Sequence, residues 1–155
     1  MSLEWQWCAL SDLPAHRIHA LFAARSAVFV VEQNCPYQDL DGADLAAEHL
    51  IAWSEDEVAA CLRLLAPGVK YAEPSIGRVL TRKAFRTTGL GRELMARGVA
   101  RCEERFPTQA MRIGAQAHLE RFYGSFGFVK ASDVYMEDGI PHIEMLREPR
   151  AAANR

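Results

Sequence analysis

The chain has no Cys-x-x-Cys pair, no apolar run of membrane-crossing length, no internal repeat and no low-complexity tract. Each absence removes a class of protein. Cys8, Cys35, Cys61 and Cys102 are widely separated, which fits neither a zinc site nor a disulfide framework. Cys61 and Cys102 stand in apolar runs and read as small core residues, while Cys35 lies among acids with no basic neighbour to activate its thiol. A membrane span needs about 20 apolar residues, and the opening MSLEWQWCAL alternates like a strand rather than running basic then apolar. A cytoplasmic protein is therefore expected. Charge of neither sign dominates: 18 Lys and Arg stand against 20 Asp and Glu, a net charge of -2. Without a basic face, nucleic acid is not an expected partner. A Gly-x-Ser-x-Gly elbow is also missing, which removes the common hydrolase reading.

What is present is ordinary globular composition, 155 residues that are 50% hydrophobic and 25% charged. That suffices for one domain with its own core. The domain is expected over 1–150, followed by a small polar tail over 151–155. Leu3, Trp5 and Trp7 alternate with polar neighbours as a first strand. Ser11 or Asp12, followed by Pro14, marks a helix start, and Ile18, Leu21, Phe22, Arg25, Val28 and Phe29 continue at helical spacing. An arginine on that stripe either snorkels or meets a buried acid. An acidic loop follows, with a helical turn near Ala43 to Ala47. Then come strand-like runs at Glu48–Ser54 and Val58–Ala66, a third at Ser75–Thr81, a long helix from Gly89 and a strand at Met111–Ala115. A short helix from His118 closes at Gly127, and a last hairpin turns at Asp138-Gly139. This order of elements predicts an α+β (mixed α/β) domain with helices on the faces of a sheet.

The most informative motif is Arg86-Thr87-Thr88-Gly89-Leu90-Gly91, set between a strand and the long helix. Glycines there allow backbone N–H groups to approach a ligand, and the helix start adds positive potential, a combination suited to diphosphate. The dinucleotide fingerprint fails at Leu94, and no Gly-Lys-Ser/Thr completes a Walker loop. Arg82, Lys83, Arg86 and Arg92 surround the turn; Arg86 and the backbone from Thr87 to Arg92 are the expected contacts.

Arg86-x-x-Gly89-x-Gly91 resembles the pyrophosphate loop of the GNAT superfamily of N-acetyltransferases. Phe122-Tyr123-Gly124-Ser125-Phe126-Gly127-Phe128 resembles that family's Tyr-x-x-x-Gly-Phe segment. The strings from Arg25 through Val28-Phe29-Val30-Val31-Glu32-Gln33 to Asp44, and Asp138-Gly139-Ile140-Pro141-His142, are similar to the ElaA-type subgroup. The resemblance implies a single central, mostly antiparallel sheet of six to seven strands, with a splayed fourth and fifth strand. It implies acetyl-CoA as cofactor, an amine acceptor and no membrane partner. Family members are often dimers, so a homodimer is a further expectation. Val79, Leu80 and Thr81 would contact the pantetheine arm, with the Leu80 backbone at the acyl oxygen. The family's Asn-x-x-Ala is here Gln116-Ala-His118-Leu119, which leaves Gln116 as a cofactor contact by amide chemistry.

Acyl transfer to an amine needs a neutral nucleophile, an aligned thioester, stabilisation of the developing negative oxygen and a proton for the leaving thiolate. By resemblance, Tyr123 is the acid. Glu32, Glu48, His49 and His142 are open alternatives for the base. Glu32, Gln33, Tyr37, Asp39, His49 and His142 are expected at the acceptor. The acids of VEQNCPYQDLDGAD suggest a cationic acceptor, and Glu32 is expected to turn inward and be buried. As a calcium loop the stretch fails, because counting from Asp39 puts Gly42 fourth, Asp44 sixth and Leu50 twelfth. Two other readings stay open: acyl-homoserine-lactone synthesis, and a non-catalytic acetyl-CoA-binding domain.

Overall fold

Trp5 and Trp7 turn to one face of the first strand and Cys8 to the other, as the alternation requires. The computed structural model describes residues 2–150; the expected tail over 151–155 lies outside them. Strands β1 (Glu4–Cys8), β2 (Glu48–Ser54), β3 (Glu57–Leu65) and β4 (Ser75–Thr81) form one antiparallel sheet in that order. β5 (Met111–Gln116), β6 (Val129–Lys130), β7 (Tyr135–Glu137) and β8 (Ile140–Arg147) form a second, in which β5 lines one edge of β8. β6 and β7 both pair with β8, at its far and near ends. They are two pieces of one strand, interrupted over 131–134. Counted so, the two halves hold the expected seven strands.

β2 is buried along nearly its whole length because helices cover both faces of its sheet. Leu50, Ala52, Leu62, Leu64 and Ile76 pack against α3 (Leu90–Arg105) through Leu94, Met95, Val99 and Cys102. Gly98 lets this helix approach closely, since a Cβ there would lie 2.8 Å from Leu62 Cδ2. Ile51, Trp53, Val58 and Cys61 face α1 (Ala15–Arg25) and the turns that follow it, where Leu21, Ala24, Val28 and Phe29 meet them. The two short helices are α2 (Ala43–Ala46) and α4 (Glu120–Gly124). Among the described residues no helix is long and apolar enough to cross a membrane.

Two local expectations need correction. Neither Ser11 nor Asp12 caps α1: its N-cap is Pro14, and Asp12 instead accepts the Ala9 N–H at 2.9 Å within a preceding 3-10 turn. The second concerns the C-terminal end of α1. The helical spacing expected through Val28 and Phe29 continues, but not as α-helix: past Arg25 the chain widens into a π-helix over Ser26–Glu32, closed by Gln33 N–H to Val28 O and Cys35 N–H to Val30 O. Such wide turns recur at functional sites, and this one carries Glu32 and Gln33 to the edge of the splay described next.

Candidate active site

β4 and β5 run parallel, connected through α3, and touch only where they begin. Arg112 N–H donates to Pro74 O at 3.1 Å, and the Arg112 guanidinium clamps Glu73 and Glu144 at 3.0 and 2.9 Å. Beyond that clamp the strands belong to separate sheets and share no ladder. They diverge toward Thr81 and Gln116, leaving the facing edge of β4 without a strand partner. An extra residue in β4 deepens the gap: Cys61 pairs Leu80 and Arg63 pairs Gly77, so Arg78 and Val79 bulge, with Arg78 at φ 48°. A cavity of about 640 Å³ occupies the splay and continues beneath the π-helix.

Next to its Arg86 end, outside the lining itself, stands the start of α3. Gly89 is its N-cap at φ 84°, and no side chain caps the helix. The Thr87 and Thr88 hydroxyls are turned away, donating to Arg86 O and Phe85 O. The first-turn N–H groups, including those of Leu90, Gly91 and Arg92, thus lack any capping side chain and suit an anion. The Leu90 side chain is buried in the core, so only its backbone is available. Arg92 leans over the Phe126 ring and donates to Ser125 Oγ at 3.0 Å. Arg86 lines the cavity, donating from Nε to Thr81 O at 2.8 Å and pairing with Glu32 at 2.9 Å. Gln116 reaches across to Gln33 at 3.3 Å. Consecutive residues of the π-helix end therefore bridge to both sides of the splay. Glu32 is exposed, contrary to the inward burial expected of it, because Arg86 meets it at the surface.

That bridge gives a pair of opposite expectations. Arg86→Ala should weaken the binding of a diphosphate at this helix start about tenfold, the loss of one charge-assisted contact to phosphate. Glu32→Gln frees the guanidinium and should tighten the same binding by a few-fold, roughly the worth of a half-exposed ion pair. Titration calorimetry with diphosphate-bearing nucleotides reads both; the same sign for the two variants would show that the pair does not compete with such a ligand.

Farther in, the cavity is walled by Val79, Leu80, Tyr123 and His142. The Leu80 side chain packs in the α1-side core. Its N–H faces β3, since Leu80 pairs Cys61 and the Arg82 N–H two residues on donates to Ala59 O. Val79 and Thr81, not Leu80 as expected, turn their N–H groups to the splay. Tyr123 is wedged edge-on between Phe122 and Phe128, and burial pushes its phenol up to about 12. β8 places His142 opposite Gln116. Its Nδ1 is 2.7 Å from Ile140 O, which can only accept, so that nitrogen carries a proton and a neutral ring keeps its lone pair on Nε2. Glu137 Oε2 lies 3.5 Å from Nε2, and Tyr135 stacks on the ring. Cys35 lines the cavity but turns its thiol to Asp138 O at 3.4 Å. Burial drives the Cys61 and Cys102 thiols up to about 12, away from thiolate chemistry.

The acidic loop is not an open acidic wall. Asp44 accepts from Arg25 at 2.7 Å and Arg63 at 2.9 Å; Asp39 meets Arg25 at 3.0 Å and Arg78 at 2.7 Å; Asp41 accepts from Arg63 at 2.6 Å. Each of these carboxylates is matched by a guanidinium. Asp39 and His49, expected at the acceptor, stand behind the cavity wall, with Asp39 held by arginines and buried His49 donating Nε2–H to Asp44 O at 3.0 Å. Burial lowers the His49 pKa and favours that neutral form. Tyr37 does line the cavity, although its hydroxyl donates to Asp39 at 3.0 Å. The wall also holds Arg63, Lys70, Arg78, Glu137 and Asp138, which periodicity and motif spacing did not single out as site residues. They sit on a bulge, an irregular connection, a hairpin turn and a core-facing strand.

A parallel pair parted around an uncapped helix start is how GNAT acyltransferases are built, and the chain belongs to that family. Residues 19–149 match the acetyltransferase (GNAT) domain. Within it, the chain is similar to protein ElaA of Escherichia coli, at 45% identity over 148 residues, covering 94% of this chain and 97% of that one. The crystal structure of E. coli ElaA superposes with a TM-score of 0.88 at 44% identity, over 94% of this chain and 99% of that one. An acyl-CoA N-acyltransferase from Pseudomonas aeruginosa gives 0.89 at 44% identity, with the same shares. A GNAT acetyltransferase from Elizabethkingia anophelis with acetyl-CoA bound shares the fold, with a TM-score of 0.62 at 15% identity, covering 95% of this chain and 98% of that one.

Proposed function

We propose that the protein is an acetyl-CoA-dependent N-acetyltransferase that acylates a primary amine by direct attack, with donor and acceptor bound together. The observation that carries this reading is one cavity that joins the open end of the β4–β5 splay to His142 and Tyr123. Acetyl-CoA, when bound, supplies an activated acyl group as a thioester. The residues that would hold it are the Thr87–Arg92 backbone, Arg86, and the free edge of β4 at Val79 and Thr81. Gln116 would add an amide contact once its bond to Gln33 yields.

His142 is the proposed base. Its Nδ1–H is held by Ile140 O, so Nε2 can take the proton of an incoming ammonium, and Glu137 beside it stabilises the imidazolium that results. The freed amine would attack the acyl carbon as the C–S bond breaks, and a free-edge N–H of β4, that of Val79 or Thr81, would donate to the acyl oxygen. The Tyr123 hydroxyl would give its proton to sulfur and regain one from the attacking nitrogen. Thiol release from acetyl-CoA across an amine library tests the reading; release that never depends on added amine would overturn it. His142→Ala should lower kcat/KM about a hundredfold, within the usual range for losing a positioned base. Unchanged kcat/KM would remove His142 from the base role.

A further inference from the structure

We infer that the acceptor is an amino acid, an amine whose own carboxylate is held by Lys70 and Arg78 on the cavity wall; this rests on the acyl-transfer reading above. Charge matching around the cavity leads there. Arg25, Arg63 and Arg78 are met by Asp39, Asp41 and Asp44, and Arg86 is met by Glu32. Those pairs cancel, and Glu137 and Asp138 remain in the lining as carboxylates suited to the acceptor's ammonium. Lys70 is different. It lines the cavity with its ammonium 5.3 Å from the Tyr71 ring centroid and has no ion-pair partner among the described residues.

Arg78 adds a second donor on the same wall. Its Nε faces Asp39, and its Nη2 donates to Asp39 O at 2.9 Å and to Asp41 at 3.4 Å. Its Nη1 has no protein partner among the described residues. Lys70 and Arg78 are near enough for each charge to act on the other, as are Lys70 and Glu137. One wall thus offers ammonium and guanidinium donors suited to a carboxylate. The same lining offers Glu137 with His142, suited to an ammonium that must lose a proton. Lys70 is exposed, so an amine without a carboxylate would leave it to water and Glu137, whereas an α-amino acid carries both charges a few bonds apart.

The test compares each protein α-amino acid with its carboxamide and its decarboxylated amine, following thiol release from acetyl-CoA. Binding of the amino acids is measured separately by calorimetry in the presence of desulfo-CoA. Amino acids should be preferred about tenfold or more in kcat/KM, the worth of one charge-assisted contact. Lys70→Met should erase the preference through KM, and Lys70→Arg should restore most of it. Turnover that is equal for the matched compounds, or better for the decarboxylated amines, overturns the inference and leaves acyl transfer standing. Lys70-dependent binding of amino acids without thiol release supports the carboxylate site and overturns the transfer reading instead. Absence of both binding and release overturns both.

Discussion

Asp44→Ala should destabilise the fold by about 3–5 kcal/mol, a large share of the total stability of a domain this size. Asp44 is 2% exposed and serves two guanidiniums, Arg25 Nη1 and Arg63 Nη1, while one of its oxygens also accepts the Asp41 N–H at 3.2 Å. Removing it leaves those cations buried with too few acceptors, the costly way to break a buried pair. Asp41→Ala is the matched control. Its side chain is 40% exposed, so water can solvate what it leaves behind and the loss should be far smaller. Urea unfolding of both variants measures the difference; equal losses would mean that depth in the network is irrelevant.

Acid titration offers an independent check on the same residue. Burial alone would raise the Asp44 pKa, but hydrogen bonds and charge from Arg25, followed by Arg63, overcome it and hold the carboxyl at about 2, below the usual 3.8. A depressed folded pKa adds stability that is fully present above the unfolded value and disappears as pH falls through the folded one. That contribution is about 2 kcal/mol. It should be lost between about pH 4 and about pH 2 in the parent, and Asp44→Asn should lack that part of the acid limb.

The reach of sequence reading follows from which interactions are local. β4 appears at Ser75–Thr81, where the strand-like run was read, and α3 follows Gly89, where the long helix was expected. Periodicity is written into neighbouring residues, and so is the Gly89-x-Gly91 turn. The ion network is not. Arg63 and Arg78 lie 19 and 39 residues from partners in the acidic loop, and nothing in either neighbourhood marks the match. Arg25, a charge on an apolar stripe, was the one visible sign that an acid must be buried nearby. The acids of the loop were legible as acids, but whether they face a substrate or a guanidinium depends on strands far away in sequence. Lys70 left no signal at all, because an irregular connection has no period to break.

Tyr123→Phe should lower kcat about a hundredfold or more, within the usual range for losing a general acid, while leaving the affinity for CoA nearly unchanged. The substitution deletes one oxygen and keeps the edge-on contacts with Phe122 and Phe128, so the fold should survive it. An objection is that burial has pushed this phenol up to about 12, which makes it a weak donor to an ordinary thiolate of pKa about 8.5. The same desolvation acts on sulfur, however. Buried Cys61 is driven up to about 12 by burial, so a sulfur anion released into an equally dry place is comparably basic. Donor and acceptor are then matched, which is the condition for efficient proton transfer. A raised pKa also keeps Tyr123 protonated as pH rises, so its deprotonation should cause no alkaline fall in kcat below about pH 11. Unchanged turnover in Tyr123→Phe would end the acid role. An alkaline limb near pH 10 in the parent that vanishes in the variant would show instead that the phenol is wet when it works.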